Sequence, residues 1–479
     1  TFWTTMLRGL QKIILGAVAG GGSLIPALGL TAEADGSQDE DFELVQVQVL
    51  FRHGARTTVY PYPKDMTTCW NLCGSDIRTV AYKVVGPGEG KEVPPLVRGA
   101  KYGRNRMLKG GCYSGQLTDL GKLQARQLGL KLGSRYSGLV EMISKDPSLL
   151  YVRSTNYPRT QETAAHVLTG LLPSNWSLLT PIHTVHFDEE YLVANQTACP
   201  RLSEFLKEGK RMYAKVAPSE LVRIRLELEN KLGEEGIKKL KLHPTSKWKG
   251  MNLMPTRDIL RCMSTHGMEL PEWGSYNLAN ETQRLAGKQI AYLLQHDGKN
   301  QEVTNEITRL GIGRFLGKVC ESMEQRVSDL EEGSDVAKGF SSSKAKVAPV
   351  LSLYSGHDTS MLPVLISYQL YHGDWPTYCS SVAWELYRSK PKAWTQTDFS
   401  SISSETVASG EKYYVRVLSN FEPVCLNTTS GAYGSTYIPL DEFKELTDRQ
   451  TPKNFEKDCA IKGEDMKTSG SNKTDAGTF

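Results

Sequence analysis

Residues 44–56 read Leu-Val-Gln-Val-Gln-Val-Leu-Phe-Arg-His-Gly-Ala-Arg. The first eight alternate and then run continuously apolar, rich in valine, which predicts a strand entering a buried sheet. Arg52 to Arg56 follow as the loop at its carboxyl end. Two arginines supply planar donors that can engage phosphate oxygens in pairs. Between them His53 can attack phosphorus when neutral, and an ordinary imidazole pKa of about 6.5 makes that form accessible. The flanking arginines favour the neutral ring over a third cation. Gly54 is expected to let the backbone approach a phosphate closely.

Downstream, residues 57–114 are rich in Gly and Pro and form an elaborated loop, the kind of length that usually marks a functional excursion. Thr118 is a good N-cap, followed by Leu120, Leu123, Leu128 and Leu132 at helical spacing. Leu149 to Val152 predicts a short strand ending at Arg153, and Pro158 lies near the start of the next helix. From about Ser203 to Leu240 the chain is charged and leucine-spaced, which predicts an inserted helical subdomain, and helical character returns at Asn280 to His296. Gly333 to Lys346 is a polar surface loop. Val350 to Tyr354 then predicts another strand, with Ser355-Gly356-His357-Asp358 after it and an apolar helix from about Ser360. Val382 to Tyr387 and Tyr413 to Leu418 complete the strand candidates.

Strand, loop and helix units around a helical insertion predict an α/β core with a cap. The expected layout is a targeting segment and linker over 1–40 and a first part of the core over 41–190. A mainly helical cap over 191–300, a second part of the core over 301–460 and a disordered tail over 461–479 follow. Arg52, Arg153 and His357 all fall at strand ends, where open α/β sheets bind ligands. Asp358 beside His357 can protonate a leaving oxygen, although a lone Asp at a helix start is more often a cap. A single Arg153 is by itself an ordinary ion-paired residue; three-sided phosphate coordination would give it a role.

With 479 residues and a net charge of +4 from 57 basic and 53 acidic side chains, the chain shows no basic stripe. Nucleic-acid binding has no electrostatic footprint here. The start carries Arg8 and Lys12, an uncharged run from Ile13 to Ala32 and no acidic residue before Glu33, which fits a removable targeting segment, with a retained anchor or plain disorder as the other readings; Gly20, Gly21, Gly22 and Pro26 make the run a poor membrane helix. Nine cysteines are too scattered for a zinc site, and an oxidising compartment would pair a few. Asn-x-Ser/Thr sequons begin at Asn175, Asn195, Asn280, Asn427 and Asn472, leaning mildly toward the secretory route.

Arg-His-Gly-x-Arg early, Tyr-Val-Arg-Ser-Thr at 151–155 and Gly-His-Asp at 356–358 together resemble the histidine acid phosphatases, branch two of the phosphoglycerate-mutase-like superfamily. Leu108-Lys109-Gly110-Gly111, Gly115-Gln116-Leu117-Thr118 and Trp384-Glu385-Leu386-Tyr387 resemble its lysophosphatidic acid phosphatase (type 6) subfamily. The resemblance implies a phosphoglycerate-mutase-like three-layer core with a mixed central sheet and an inserted helical cap. It implies hydrolysis of a phosphate monoester, a lysophosphatidic acid above all, through a phosphohistidine. His53 would be the nucleophile and Asp358 the proton donor. Arg52, Arg56, Arg153 and His357 would hold the phosphate, with no metal or cofactor. Its expected partner is a phosphorylated lipid or other phosphomonoester, with peripheral membrane contact, a monomeric state and a mitochondrial or else secretory location. Thr58 departs from the family's usual proline and puts the loop's rigidity in question.

Three alternatives stand beside this. A phosphoryl-returning mutase would use a glutamate acid in a different downstream motif. An inositol-polyphosphate phosphatase would want more basic residues. A catalytically dead binding relative would have lost His53 or Asp358. Tyr60, Tyr62, Met66 and Trp70 could line an acyl channel or simply cover the core.

Overall fold

The structure is a computed structural model that describes residues 41–60, 68–86, 106–216, 219–239, 253–333, 347–390, 412–426 and 436–461. The targeting segment, the polar tail from 462, most of the 333–346 loop, Tyr62, Met66, Asn427 and Asn472 lie outside them.

Among the described residues nine strands make one mixed sheet: β1 (Phe42–Arg52), β2 (Tyr82–Val85), β3 (Leu150–Ser154), β4 (Thr180–His183), β5 (Leu351–Gly356), β6 (Ser381–Ser389), β7 (Tyr413–Ser419), β8 (Glu422–Val424) and β9 (Tyr437–Pro439). Their order is β2-β4-β3-β5-β1-β6-β7-β8, with β9 against β7. The first five in that order are parallel, and β6 and β7 continue the sheet antiparallel.

The alternation in β1 has a cause that its sequence did not disclose. Val47, Val49 and Phe51 face one core cluster, whereas Gln46 and Gln48 are also fully buried, on the other face. Gln48 Nε2 donates to the Val319 carbonyl at 2.7 Å and Gln46 Nε2 to that of Pro349 at 2.8 Å. Both faces are therefore covered, and the glutamines meet backbone carbonyls rather than water, as buried amides must.

On the first face lie α1 (Asp119–Arg135), α2 (Ser137–Lys145) and α3 (Pro158–Leu171). Thr118 caps α1, its Oγ1 accepting from Gly121 N at 3.3 Å. The buried stripe of α1 is not the leucine set of its spacing. Leu123 is exposed, and Gly121, Ala125 and Gly129 are buried with Leu128 and Leu132. A Cβ on Gly129 would stand 2.0 Å from the Val167 carbonyl, so small residues let α1 and α3 pack backbone to backbone.

The chain then builds α4 (Pro200–Lys215), α5 (Ser219–Lys239, interrupted at Gly233 with φ 67°), α6 (Met254–Thr265) and α7 (Tyr276–Gln295). Next comes α8 (Gln301–Glu331), with α9 (Asp358–Ser367), α10 (Leu440–Gln450) and α11 (Phe455–Cys459) later in the chain. Helix α8 serves two cores. Ile307 and Leu310 join the cluster of α4 to α7, while Phe315, Leu316 and Val319 pack with Trp384 on the second face of the sheet. We propose that the cap runs from Pro200 to about Leu310, because that is where α8 changes partners.

Disulfides join Cys73 to Cys112 and Cys199 to Cys459. The second ties the start of α4 to α11 across 260 residues of chain. Replacing Cys199 and Cys459 together by serine is expected to lower unfolding free energy by about 2–5 kcal/mol, since the loss falls mainly on the unfolded ensemble. A urea melt of the double variant matching the parent would refute it.

Candidate active site

Register gathers the site. Arg52 pairs with Gly356 across β1 and β5, and Ser154 with Ser355 across β3 and β5. The three strands thus end level, and His53, Thr155 and His357 emerge side by side at one edge of the sheet. There they line a cleft open to solvent, together with Arg56, Arg159, Arg257, Asp258, Glu190, Asp358 and Trp375.

His53 is buried, its ring 5.5 Å from that of His357. Its Nδ1 lies 2.8 Å from the Gly54 carbonyl. A carbonyl can only accept, so Nδ1 carries the proton and Nε2 keeps its lone pair. Burial pushes the imidazole pKa well below its usual value, and the charges of Arg159, Arg52 and Arg56 add to the effect. His53 is therefore a neutral base with one nitrogen ready to bond.

Gly54 has a different task from the one its sequence suggested. A Cβ there would stand 2.3 Å from the Gly121 carbonyl. The glycine seats the loop against the first turn of α1 rather than opening it to a phosphate. Thr58 answers the missing proline: its Oγ1 donates to Asp258 Oδ2 at 2.8 Å, and Val59 N donates to the same oxygen at 2.7 Å. Two hydrogen bonds hold what a ring would have restricted.

Asp358 is the first residue of α9. Its Oδ2 is 2.8 Å from Arg52 Nη2 and accepts from Trp375 Nε1 at 2.9 Å. Burial would raise its pKa, but Arg52 and Arg257 outweigh that and hold the carboxyl well below the ordinary range. Arg52 also donates to the Pro376 carbonyl at 2.5 Å and lies over the Tyr378 ring, 4.3 Å from its centroid. Arg56 pairs with Asp258 at 2.8 Å. His357 Nε2 is 2.9 Å from Thr155 Oγ1, and its Nδ1 accepts from Arg159 Nη2 at 3.4 Å.

Four of the six expected residues, His53, Arg56, His357 and Asp358, line the cleft, and Arg52 joins them through its pair with Asp358; Arg153 does not. It lies within β3, is 1% exposed and does not line the cleft. Its guanidinium pairs with Glu190 at 2.8 Å and donates to its neighbour's carbonyl, Ser154 O. The strand runs two residues further than expected, so Arg153 points into the fold instead of leaving its end. Arg159, the second residue of α3, stands in the cleft instead. A signal for it existed. A cation in the first turn of a helix opposes the macrodipole, which an anion arriving there would offset. Arg257, Asp258 and Trp375 were invisible, because they come from the cap and from beyond α9, some 200 residues or more from His53.

Of the candidate channel aromatics, Tyr60 lines the cleft and Trp70 is buried in the cap core. Trp384 and Glu385 are also structural: Trp384 Nε1 donates to Tyr368 Oη at 2.9 Å, and Glu385 bonds Arg416 and Arg135 at 2.7 and 3.1 Å. Among the described residues no group of three or more His, Cys, Asp or Glu could hold a metal ion. Positive charge in the cleft is carried by arginine.

The sequence profile of the histidine phosphatase superfamily (branch 2) matches residues 43–420. The chain is similar to lysosomal acid phosphatase from Homo sapiens, 26% identical over 426 residues that cover 87% of this chain and 80% of the relative. It is similar to lysophosphatidic acid phosphatase type 6 from Homo sapiens, 26% identical over 370 residues that cover 76% of this chain and 78% of the relative. In structure it resembles the multiple inositol polyphosphate phosphatase of Bifidobacterium longum complexed with inositol hexasulfate. That likeness has a TM-score of 0.54 at 14% identity and covers 91% of this chain and 96% of the other, a likeness of fold. The chain belongs to the histidine phosphatase superfamily, branch 2, and is a phosphoric monoester hydrolase of the histidine acid phosphatase kind.

Proposed function

We propose that the chain hydrolyses phosphate monoesters through a phosphohistidine on His53, with lysophosphatidic acid as its substrate. The observation that carries the first part is the Nδ1–H donation from His53 to its neighbour's carbonyl, which leaves Nε2 as a nucleophile among arginines. Nε2 bonds to phosphorus as the ester P–O bond breaks, and the leaving oxygen takes a proton from Asp358. Water then attacks the phosphohistidine, giving its proton to the Asp358 carboxylate, and inorganic phosphate leaves. Arg52, Arg56, Arg159 and His357 spread positive charge over the equatorial oxygens.

Supporting the lipid is the apolar part of the lining, Val59, Tyr60, Val185, Phe187, Val193 and Met254, beside Asn156, Tyr157 and Thr359. An apolar wall facing a cluster of arginines suits an amphipathic substrate, with affinity from burying its chain. A polyanionic substrate would leave that wall unused. The test is phosphate release from lysophosphatidic acid, inositol hexakisphosphate and an aryl phosphate in parallel. Preference for the lipid supports the reading, and exclusive turnover of either other ester would overturn it.

Arg159 and Arg153 should separate cleanly. Arg159→Ala is expected to lower kcat/KM by roughly 10- to 100-fold, the worth of a charge-assisted hydrogen bond, with little change in stability. Arg153→Ala leaves Glu190 buried without its cation, and is expected to destabilise by about 3–5 kcal/mol. Urea melts and phosphate-release kinetics on both variants check this; equal catalytic loss at unchanged stability would contradict it.

We place the chain in the secretory route rather than in mitochondria. Two disulfides suit an oxidising compartment, and one of its relatives is named as lysosomal. Asn175 and Asn280 are exposed sequon positions, whereas Asn195 is buried with its Nδ2 bonded to the Phe187 carbonyl at 2.6 Å, closed to a glycan. No helix among the described residues is long and apolar enough to cross a membrane. Contact with lipid is taken as peripheral in this proposal, and a single chain supplies every side chain named in the site.

A further inference from the structure

Arg257 is the cation of the cleft that the phosphoryl chemistry does not use. It is 5% exposed, lines the cleft from α6, and its guanidinium stacks on the Trp375 ring with 3.8 Å to the centroid. Arg52, Arg56 and Arg153 each have a carboxylate at 2.8 Å. Among the described residues, no carboxylate lies within ion-pair distance of Arg257, which sets it apart; its Nε, like those of Arg52, Arg56, Arg153 and Arg159, is buried without a hydrogen-bond partner. A buried guanidinium in that condition is costly unless something entering the cleft bonds to it.

Its position says which part of a substrate that is. Trp375 donates through Nε1 to Asp358 Oδ2 at 2.9 Å while its ring face carries Arg257. Arg257 therefore sits beside the proton donor. Arg159 instead bonds His357, whose ring lies 5.5 Å from that of His53. In an in-line displacement the nucleophile and the leaving oxygen lie on opposite sides of phosphorus. A cation next to the group that protonates the leaving oxygen faces the leaving alcohol rather than the phosphoryl oxygens.

We propose that Arg257, held flat on Trp375, is a specificity-determining residue that binds an acceptor oxygen, hydroxyl or carbonyl, on the leaving alcohol close to the scissile ester oxygen. This deepens the reading of the cleft as a phosphomonoesterase site and rests on it. It makes glycerol-type esters, which carry such oxygens on neighbouring carbons, better substrates than plain alkyl phosphates. A site built to bond an oxygen discriminates strongly against an analogue that lacks it.

The experiment compares lauroyl lysophosphatidic acid with monododecyl phosphate, which shares the phosphate and the apolar chain but has no acceptor oxygen on the alcohol. In wild-type protein the ratio of kcat/KM values should favour the lysophospholipid, and in Arg257→Met it should fall at least about tenfold. Arg257→Lys, which keeps the charge but not the planar stack, should fall between them, and a thermal melt of each variant verifies that it is folded. A ratio within threefold of wild type in folded Arg257→Met overturns the proposal. So does an equal proportional loss on both esters, which would mean that Arg257 serves Asp358 or the phosphoryl group. If wild-type protein hydrolyses neither lipid, the lipid reading falls. The same ratio, taken with glycerol 3-phosphate against propyl phosphate, then decides Arg257 by the same thresholds.

Discussion

Replacing His53 by alanine is expected to lower phosphomonoester hydrolysis by roughly 10⁴-fold or more, the scale seen when a covalent nucleophile is removed. The variant should still fold and still bind phosphate, because the arginines keep their own partners: Arg52 with Asp358 and Arg56 with Asp258. Wild-type protein quenched in alkali during turnover should carry acid-labile, base-stable phosphate, and the alanine variant none. The pH profile carries a second signature. Burial and the charges of Arg159, Arg52 and Arg56 lower the pKa of His53. Protonation would occupy Nε2 and end the reaction, and this sets in only below the lowered pKa. The free protein should therefore keep its nucleophile through pH 6.5 and well into the acid range, with no loss at the ordinary imidazole value. A kcat/KM limb collapsing at pH 6.5, or retained turnover in the variant, would rule out His53 as the attacking group.

Asp358→Asn has the next largest expected effect, and its size should depend on the leaving group. An alkyl phosphate expels a strongly basic alkoxide that needs a proton, so phosphoenzyme formation should slow by roughly 10²- to 10⁴-fold. A nitrophenyl phosphate expels a weakly basic oxygen, and its first turnover should slow far less. Asparagine can still accept from Trp375 but removes the negative charge beside Arg52. Phosphate affinity should then hold or rise, so that the loss appears in kcat rather than KM. The Arg52 pair also fixes the direction in pH. It holds the free carboxyl well below the ordinary range, and a bound dianionic ester drawing on Arg52 returns the pKa upward, making the acid form available in the complex. Single-turnover rates on the two esters measure this. Equal slowing on both would show that Asp358 acts by something other than proton delivery.

Reading the sequence from Leu44 outward located β1, β5, β6 and β7 within one or two residues, since buried strands are written as local runs of apolar residues. The cap of α1 at Thr118 and Pro158 opening α3 were legible for the same reason: both signals act within one turn. His53, Asp358, Arg52, Arg56 and His357 could be named because each sits within a short motif directly after a strand or within its loop. The long helix α8 escaped notice because its apolar positions change faces midway, from the cap core to the sheet. Local spacing shows no single stripe there.

What the linear chain determined by itself was the α/β core and the two strand-end motifs that hold His53 and His357-Asp358, because strand propensity and motif chemistry are properties of neighbours in sequence. What only the tertiary structure decided was which arginine enters the cleft and what the cap contributes to it. Arg153 and Arg159 are both cations near one strand end, and the choice between them turns on where β3 stops and on a buried glutamate 37 residues further along. Arg257 and Asp258 reach the site only when α6 folds over the strand ends, and Trp375 only when the segment after α9 does. Side-chain convergence of that kind is set by packing between distant segments, and spacing along the chain holds no record of it.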